Sequence, residues 1–106
     1  MSQDISVQRI FAKLAERFNA ENASGLEAVF QFALEDADSF YIDVREQQFS
    51  ANWGEHKDPD ITLLLSEATL AEVVSGELDG MSAFLKGQLR AEGNLMLATR
   101  LGKLFR

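Results

Sequence analysis

The chain has 106 residues, 46% hydrophobic and 25% charged, the composition of one ordinary globular domain spanning residues 1–106. It has no cysteine, which excludes disulfides, thiolate metal sites and thiol nucleophiles, and its net charge of −7 argues against nucleic-acid binding, which needs a basic footprint. No run approaches the ~18 apolar residues of a membrane span, and MSQDISVQRI lacks a basic segment followed by an apolar one, so the expected location is the cytoplasm.

The first element is an amphipathic helix from Ile5 to Phe18. Val7, Ile10, Phe11, Leu14 and Phe18 recur at three- and four-residue spacing, with Gln8, Arg9, Lys13, Glu16 and Arg17 opposite. Asp4 or Ser6 is placed to cap it, and Asn19–Gly25 is a polar loop. Four strands are predicted next by period-two alternation. Leu26, Ala28, Phe30, Phe32 and Leu34 mark the first, and Phe40, Ile42 and Val44 the second. Phe49, Ala51 and Trp53 mark the third, and Ile61, Leu63 and Leu65 the fourth. Short polar links, Asp36–Ser39 and Glu46-Gln47, predict two successive antiparallel hairpins. Gly54–Asp60, containing Pro59, interrupts the meander.

Thr69-Leu70-Ala71-Glu72 has the form of a capping box, predicting a short helix through Val73 and Val74 that ends at Gly76. A further apolar run (Met81, Ala83, Phe84, Leu85) stops at Gly87. Leu89, Ala91 and Gly93 then form a fifth strand, and Asn94 opens a last helix from Leu95 to Phe105. The expected fold is α+β: a sheet of about five strands with helices over its apolar face.

Charge divides the chain. Gly80–Arg106 holds five of the ten basic residues and one acid, Glu92, for about +4, whereas the preceding residues carry about −11. Catalytic machinery is hard to find. His56, the single histidine, sits among Gly54, Glu55, Lys57 and Asp58, where loop polarity accounts for it. Glu35, Asp36, Asp38, Asp43 and Glu46 lack the ligand spacing of a cation loop. There is no G-x-S-x-G elbow, P-loop or dinucleotide fingerprint. No cofactor, metal or enzymatic activity is therefore expected. The last helix has two readings: a core-closing element with cations snorkelling at its border, or a lid over an apolar pocket whose cations meet a lipid head group or an anionic bilayer.

Gly80-Met81-Ser82-Ala83-Phe84-Leu85-Lys86-Gly87-Gln88-Leu89, followed by Gly93-Asn94-Leu95-Met96-Leu97-Ala98, resembles the C-terminal signature of the sterol carrier protein-2 (SCP-2) family. The order of elements before it is similar too, including Asp60-Ile61-Thr62-Leu63 at the start of the fourth strand. The resemblance implies a twisted five-stranded sheet with helices on one face around an apolar tunnel. It implies non-catalytic binding and transfer of a fatty acid, fatty acyl-CoA or phospholipid-like ligand. By position, Met81, Phe84 and Leu85 would border the tunnel, Leu97, Leu101 and Phe105 would form its lid, and Phe30, Phe32 and Ile42 would line it from the sheet. Independently of the resemblance, the charge division assigns Arg100 and Lys103 to a cationic rim around a lipid entrance, with weak membrane contact expected through the C-terminal helix. Two rival readings are an accessory protein presenting isoprenoid-quinone or other lipid intermediates to biosynthetic enzymes, and a structural or dimerisation domain with a collapsed pocket.

Overall fold

Alternating apolar residues need a layer to pack against, and the computed structural model, which describes residues 7–104, supplies one with helices gathered on a single face of a sheet. The elements are α1 (Val7–Arg17), a 3-10 turn (Glu21–Ala23), β1 (Ala28–Leu34), β2 (Phe40–Arg45), β3 (Gln48–Trp53) and β4 (Ile61–Leu65). They continue with α2 (Glu67–Ser75), α3 (Gly80–Leu85), β5 (Leu89–Gly93) and α4 (Met96–Leu104). The fold is α+β, as expected, with strand order β3-β2-β1-β4-β5. The cap residues Asp4 and Ser6 and the lid residue Phe105 lie outside the described residues.

β1–β2 and β2–β3 are the two expected hairpins, and β4 pairs antiparallel with β5. One pairing was not foreseen: β4 runs parallel to β1, with Phe30 beside Ile61 and Phe32 beside Leu63. To reach that position the chain leaves the outer strand β3 and crosses the back of the sheet through Gly54–Asp60. The crossing covers the second face of β1 as well, so Val29 and Gln31 are buried along with Phe30 and Phe32. Gln31 is satisfied there. Its side-chain NH2 donates to the carbonyls of Phe40 and Gly54 at 3.1 Å each, and its side-chain oxygen accepts the His56 N–H at 2.7 Å.

On the helix-covered face the registers align side chains in rows across the strands. One row is Trp53–Phe40–Phe32–Leu63–Ala91; the next is Ala51–Ile42–Phe30–Ile61–Gly93. Leu14 of α1, Leu70 of α2, Ala83 of α3, and Leu101 and Leu104 of α4 close over these rows as one buried cluster. Phe11 stacks on Trp53 with ring centres 4.3 Å apart, and Phe32 stacks on Phe40 at 4.8 Å. The amide of Val7, at the start of α1, donates to the Glu67 carboxylate in the first turn of α2. That places a negative charge at a helix N-terminus, where the backbone dipole favours it.

The cap of α2 differs from the expected box. Ser66, in extended conformation at the end of β4, is the N-cap and accepts the Thr69 N–H, so the helix starts before Thr69. It ends as predicted at Gly76, whose φ of 87° is left-handed.

Candidate functional site

The segment following α2 builds the only stretch where large apolar side chains crowd at the surface among the described residues. Asp79 caps α3, accepting the Ser82 N–H at 3.2 Å. The helix buries Ala83 and presents Met81, Phe84 and Leu85, related by three- and four-residue spacing, on another side. β5 then returns along β4 to Gly93. A Cβ there would lie 2.6 Å from the Asp60 carbonyl oxygen, and φ is 109°, so only glycine fits. The close approach lets the Asn94 N–H donate to that same carbonyl at 2.9 Å. The Asn94 side chain accepts the Met96 N–H at 3.2 Å, starting α4. At the other end of α4, the Leu104 and Lys103 carbonyls accept from the Asn19 N–H (2.6 Å) and the Asn22 side-chain NH2 (2.8 Å). α4 is pinned at both ends and spans the gap between.

Under that span lies a pocket of about 110 Å³ lined by Gly80, Met81, Phe84, Ala91, Leu95 and Ala98, none of them titratable. A second, nearly filled crevice of about 10 Å³ lies between Leu14, Phe32, Phe40, Leu70, Val73, Val74 and Leu101. The two spaces share no lining residue, and the described residues show no continuous tunnel. They do lie over one cross-strand row: the pocket meets Ala91 at one end, and the crevice meets Phe32 and Phe40 beyond the buried Leu63. On α4, Ala98 faces the first space and Leu101 the second, a single helical turn apart.

Of the residues singled out in the sequence, Met81 and Phe84 come together in the pocket, while Phe32 and Leu101 meet in the crevice. Phe30 and Ile42 are fully buried in the neighbouring row and line neither space, and Leu97 packs partly buried against the core. Leu85 is 76% exposed. Arg100 and Lys103 share a face of α4 with Met96 at positions i, i+4 and i+7, and the Arg100 guanidinium reaches the Asn22 carbonyl at 3.4 Å. Sequence reasoning missed Gly80, Ala91, Leu95 and Ala98 as lining. The signal lay in three small residues facing large ones, which leaves space where helix and strand cannot interdigitate.

Polar chemistry stays away from this pocket. The Nδ1 of His56 accepts the Asp58 N–H at 3.0 Å, and its ring meets the edge of Tyr41. Asp43 holds the Arg45 guanidinium above its ordinary pKa through a hydrogen bond and its charge, on the side of the sheet facing away from the helices. Among the described residues no three His, Asp or Glu side chains are grouped closely enough to hold a metal ion.

A mixed five-stranded sheet with helices over one face defines the sterol-carrier class of fold, and here an apolar pocket lies between α3, β5 and α4. The model of the SCP-2 sterol transfer family matches residues 7–106, and the chain belongs to that family. Hydroxysteroid dehydrogenase-like protein 2 of Bos taurus is 28% identical over 102 residues, covering 93% of this chain and 24% of that protein. The chain thus spans about a quarter of the length of that curated relative. Sterol carrier protein 2 of Yarrowia lipolytica, in its apo form, superposes with a TM-score of 0.73 at 24% identity, covering 97% of this chain and 92% of that one. The UbiJ-SCP2 ubiquinone synthesis protein superposes with a TM-score of 0.71 at 14% identity, covering 92% and 94%.

Proposed function

We propose that the protein binds and transfers a lipid, a fatty acid, fatty acyl-CoA or phospholipid-like molecule, without catalysing its conversion. The observation that carries this reading is the alignment of pocket and crevice over one row of the sheet. Family membership supports the lipid class. From Ala91 to Phe40 the row crosses three strand spacings, about 14 Å, the length of an extended chain of roughly a dozen carbons. A cavity of about 150 Å³ takes one benzene ring. The 110 Å³ present here therefore receives the end of one chain, and a longer tail must part α4 from Leu63 to join the two spaces. Each buried methylene contributes about 0.8 kcal/mol, so a dozen carbons gain about 10 kcal/mol before ordering and opening costs of several kcal/mol. The remainder, about 5–7 kcal/mol, corresponds to a Kd of roughly 10–200 μM without a single polar contact.

The test is a pair of variants titrated with a fluorescent fatty acid. Ala98→Phe puts a ring into the pocket and should lower affinity at least about tenfold while the protein stays folded. Leu101→Trp overpacks the crevice and should cost about 1–3 kcal/mol of stability in urea denaturation. Unchanged probe affinity in the folded Ala98→Phe variant would sink the reading.

The accessory reading is favoured by one observation, the likeness to the UbiJ-SCP2 ubiquinone synthesis protein over 92% of the chain. In that role the same pocket holds a prenyl tail and presents its head to an enzyme. Solvent extraction of the purified protein followed by mass spectrometry separates the two: acyl chains for the carrier, prenyl quinones for the accessory protein.

A further inference from the structure

We infer that the α3–α4 lip is a docking surface for an anionic lipid bilayer, and that the pocket exchanges its ligand there. This rests on the lipid-carrier reading and names the partner of its pocket. Met81, Phe84, Leu85, Leu95 and Met96 are 45%, 41%, 76%, 50% and 79% exposed, and three of them also line the pocket or its mouth. Five large apolar side chains, on α3, at the start of α4 and in the turn before it (Leu95), form a patch of the kind that soluble surfaces do not usually leave to water.

Charge selects the occupant. Neither α3 nor α4 contains an acidic residue; Asp79 caps the start of α3, Lys86 caps its end, and Arg100 and Lys103 lie on α4. Lys86 directly follows Leu85, while Arg100 and Lys103 continue the face of α4 that Met96 begins. Elsewhere the chain is strongly acidic, about −11 before Gly80. Apart from α1, which carries Arg9, Lys13 and Arg17, the acidic remainder is repelled by an anionic surface while the cations of this end are attracted, which favours approach with the pocket mouth toward the membrane. Apolar side chains then enter the head-group boundary with cations beside them, the arrangement of interfacial helices. A neutral protein partner would gain nothing from the charge split, and a second copy of this lip would bring like charges together.

Vesicle flotation of the full chain tests this. Phosphatidylcholine vesicles with about 30% phosphatidylglycerol should carry the protein at low salt, pure phosphatidylcholine vesicles should not, and raising salt to about 0.5 M should release it. Met96→Glu combined with Lys86→Glu should lower the bound fraction at least about tenfold on the anionic vesicles. In parallel, a soluble fluorescent fatty acid is titrated into the same variant in the absence of vesicles. Its affinity should match that of the unaltered protein, since neither residue lines the pocket. Flotation indifferent to lipid charge, or unaffected by the double substitution, overturns the docking surface even if the probe binds normally. Absence of probe binding by the unaltered protein overturns the carrier reading and with it ligand exchange at the lip, while charge-dependent flotation abolished by the double substitution still supports the docking surface. A concentration-dependent dimer abolished by the same substitutions, with no flotation, makes a second copy the occupant and overturns the inference.

Discussion

Gln31 shows how much one side chain can hold. Buried between β2 and the crossing loop, it serves the Phe40 and Gly54 carbonyls and the His56 amide at once. Gln31→Leu keeps most of the volume and leaves those backbone groups without their partner. The expected loss is about 2–3 kcal/mol, read as a lower urea midpoint at constant slope. Gly93 is constrained differently: Gly93→Ala must push the Asp60 carbonyl aside and adopt a left-handed φ, costing about 2–4 kcal/mol. The two residues differ in legibility. Gly93 followed by Asn94 marks a forced turn in any reading of the chain. Gln31 occupies a polar slot of an alternating strand, and alternation cannot say whether a distant loop will cover that slot.

At the level of elements, local chemistry decided most outcomes. Two overlapping segments, Ser66 to Thr69 and Thr69 to Glu72, both fit an N-terminal cap. Ser66 prevails because β4 ends at Leu65 and delivers it in the extended conformation that a cap requires, φ −83° and ψ 163°. Ser66→Ala should cost about 1 kcal/mol in thermal or urea denaturation. The β2–β3 hairpin turns through Glu46 and Gln47, both at positive φ, 54° and 60°. Neither residue favours that region, whereas Asn-Gly does. Replacing the pair with Asn-Gly should therefore stabilise the protein by about 1 kcal/mol, visible as a higher melting temperature. Strand and helix identities were legible because their periods differ. Strand partners were not, since alternation names a face and never a neighbour, and the parallel β1–β4 pairing follows from the route of the Gly54–Asp60 crossing.

For the whole molecule, β1 is the keystone: it pairs with β2 on one side and β4 on the other, with both faces buried. Hydrogen exchange should be slowest at its amides and markedly faster in α3 and α4, which border the pocket and lie toward the β5 edge. The candidate site was half legible. Met81 and Phe84 stand out as apolar residues in a glycine-bounded run, but a cavity is made by what is missing, and Ala91 and Ala98 declare themselves only once β5 and α4 are brought face to face. The row joining pocket and crevice ends in Trp53, the chain's one tryptophan, stacked on Phe11. Trp53 and Ala91 stand four strand spacings apart, about 19 Å. The protein thus carries its own optical depth gauge. A tail that stops beneath α4 leaves the indole emission as it was. One that pushes through to Phe40 disturbs the ring packed edge-on against Trp53 at 5.9 Å and shifts its colour. A series of saturated fatty acids of increasing length, followed by tryptophan fluorescence alone, would report the chain length at which the interior gives way.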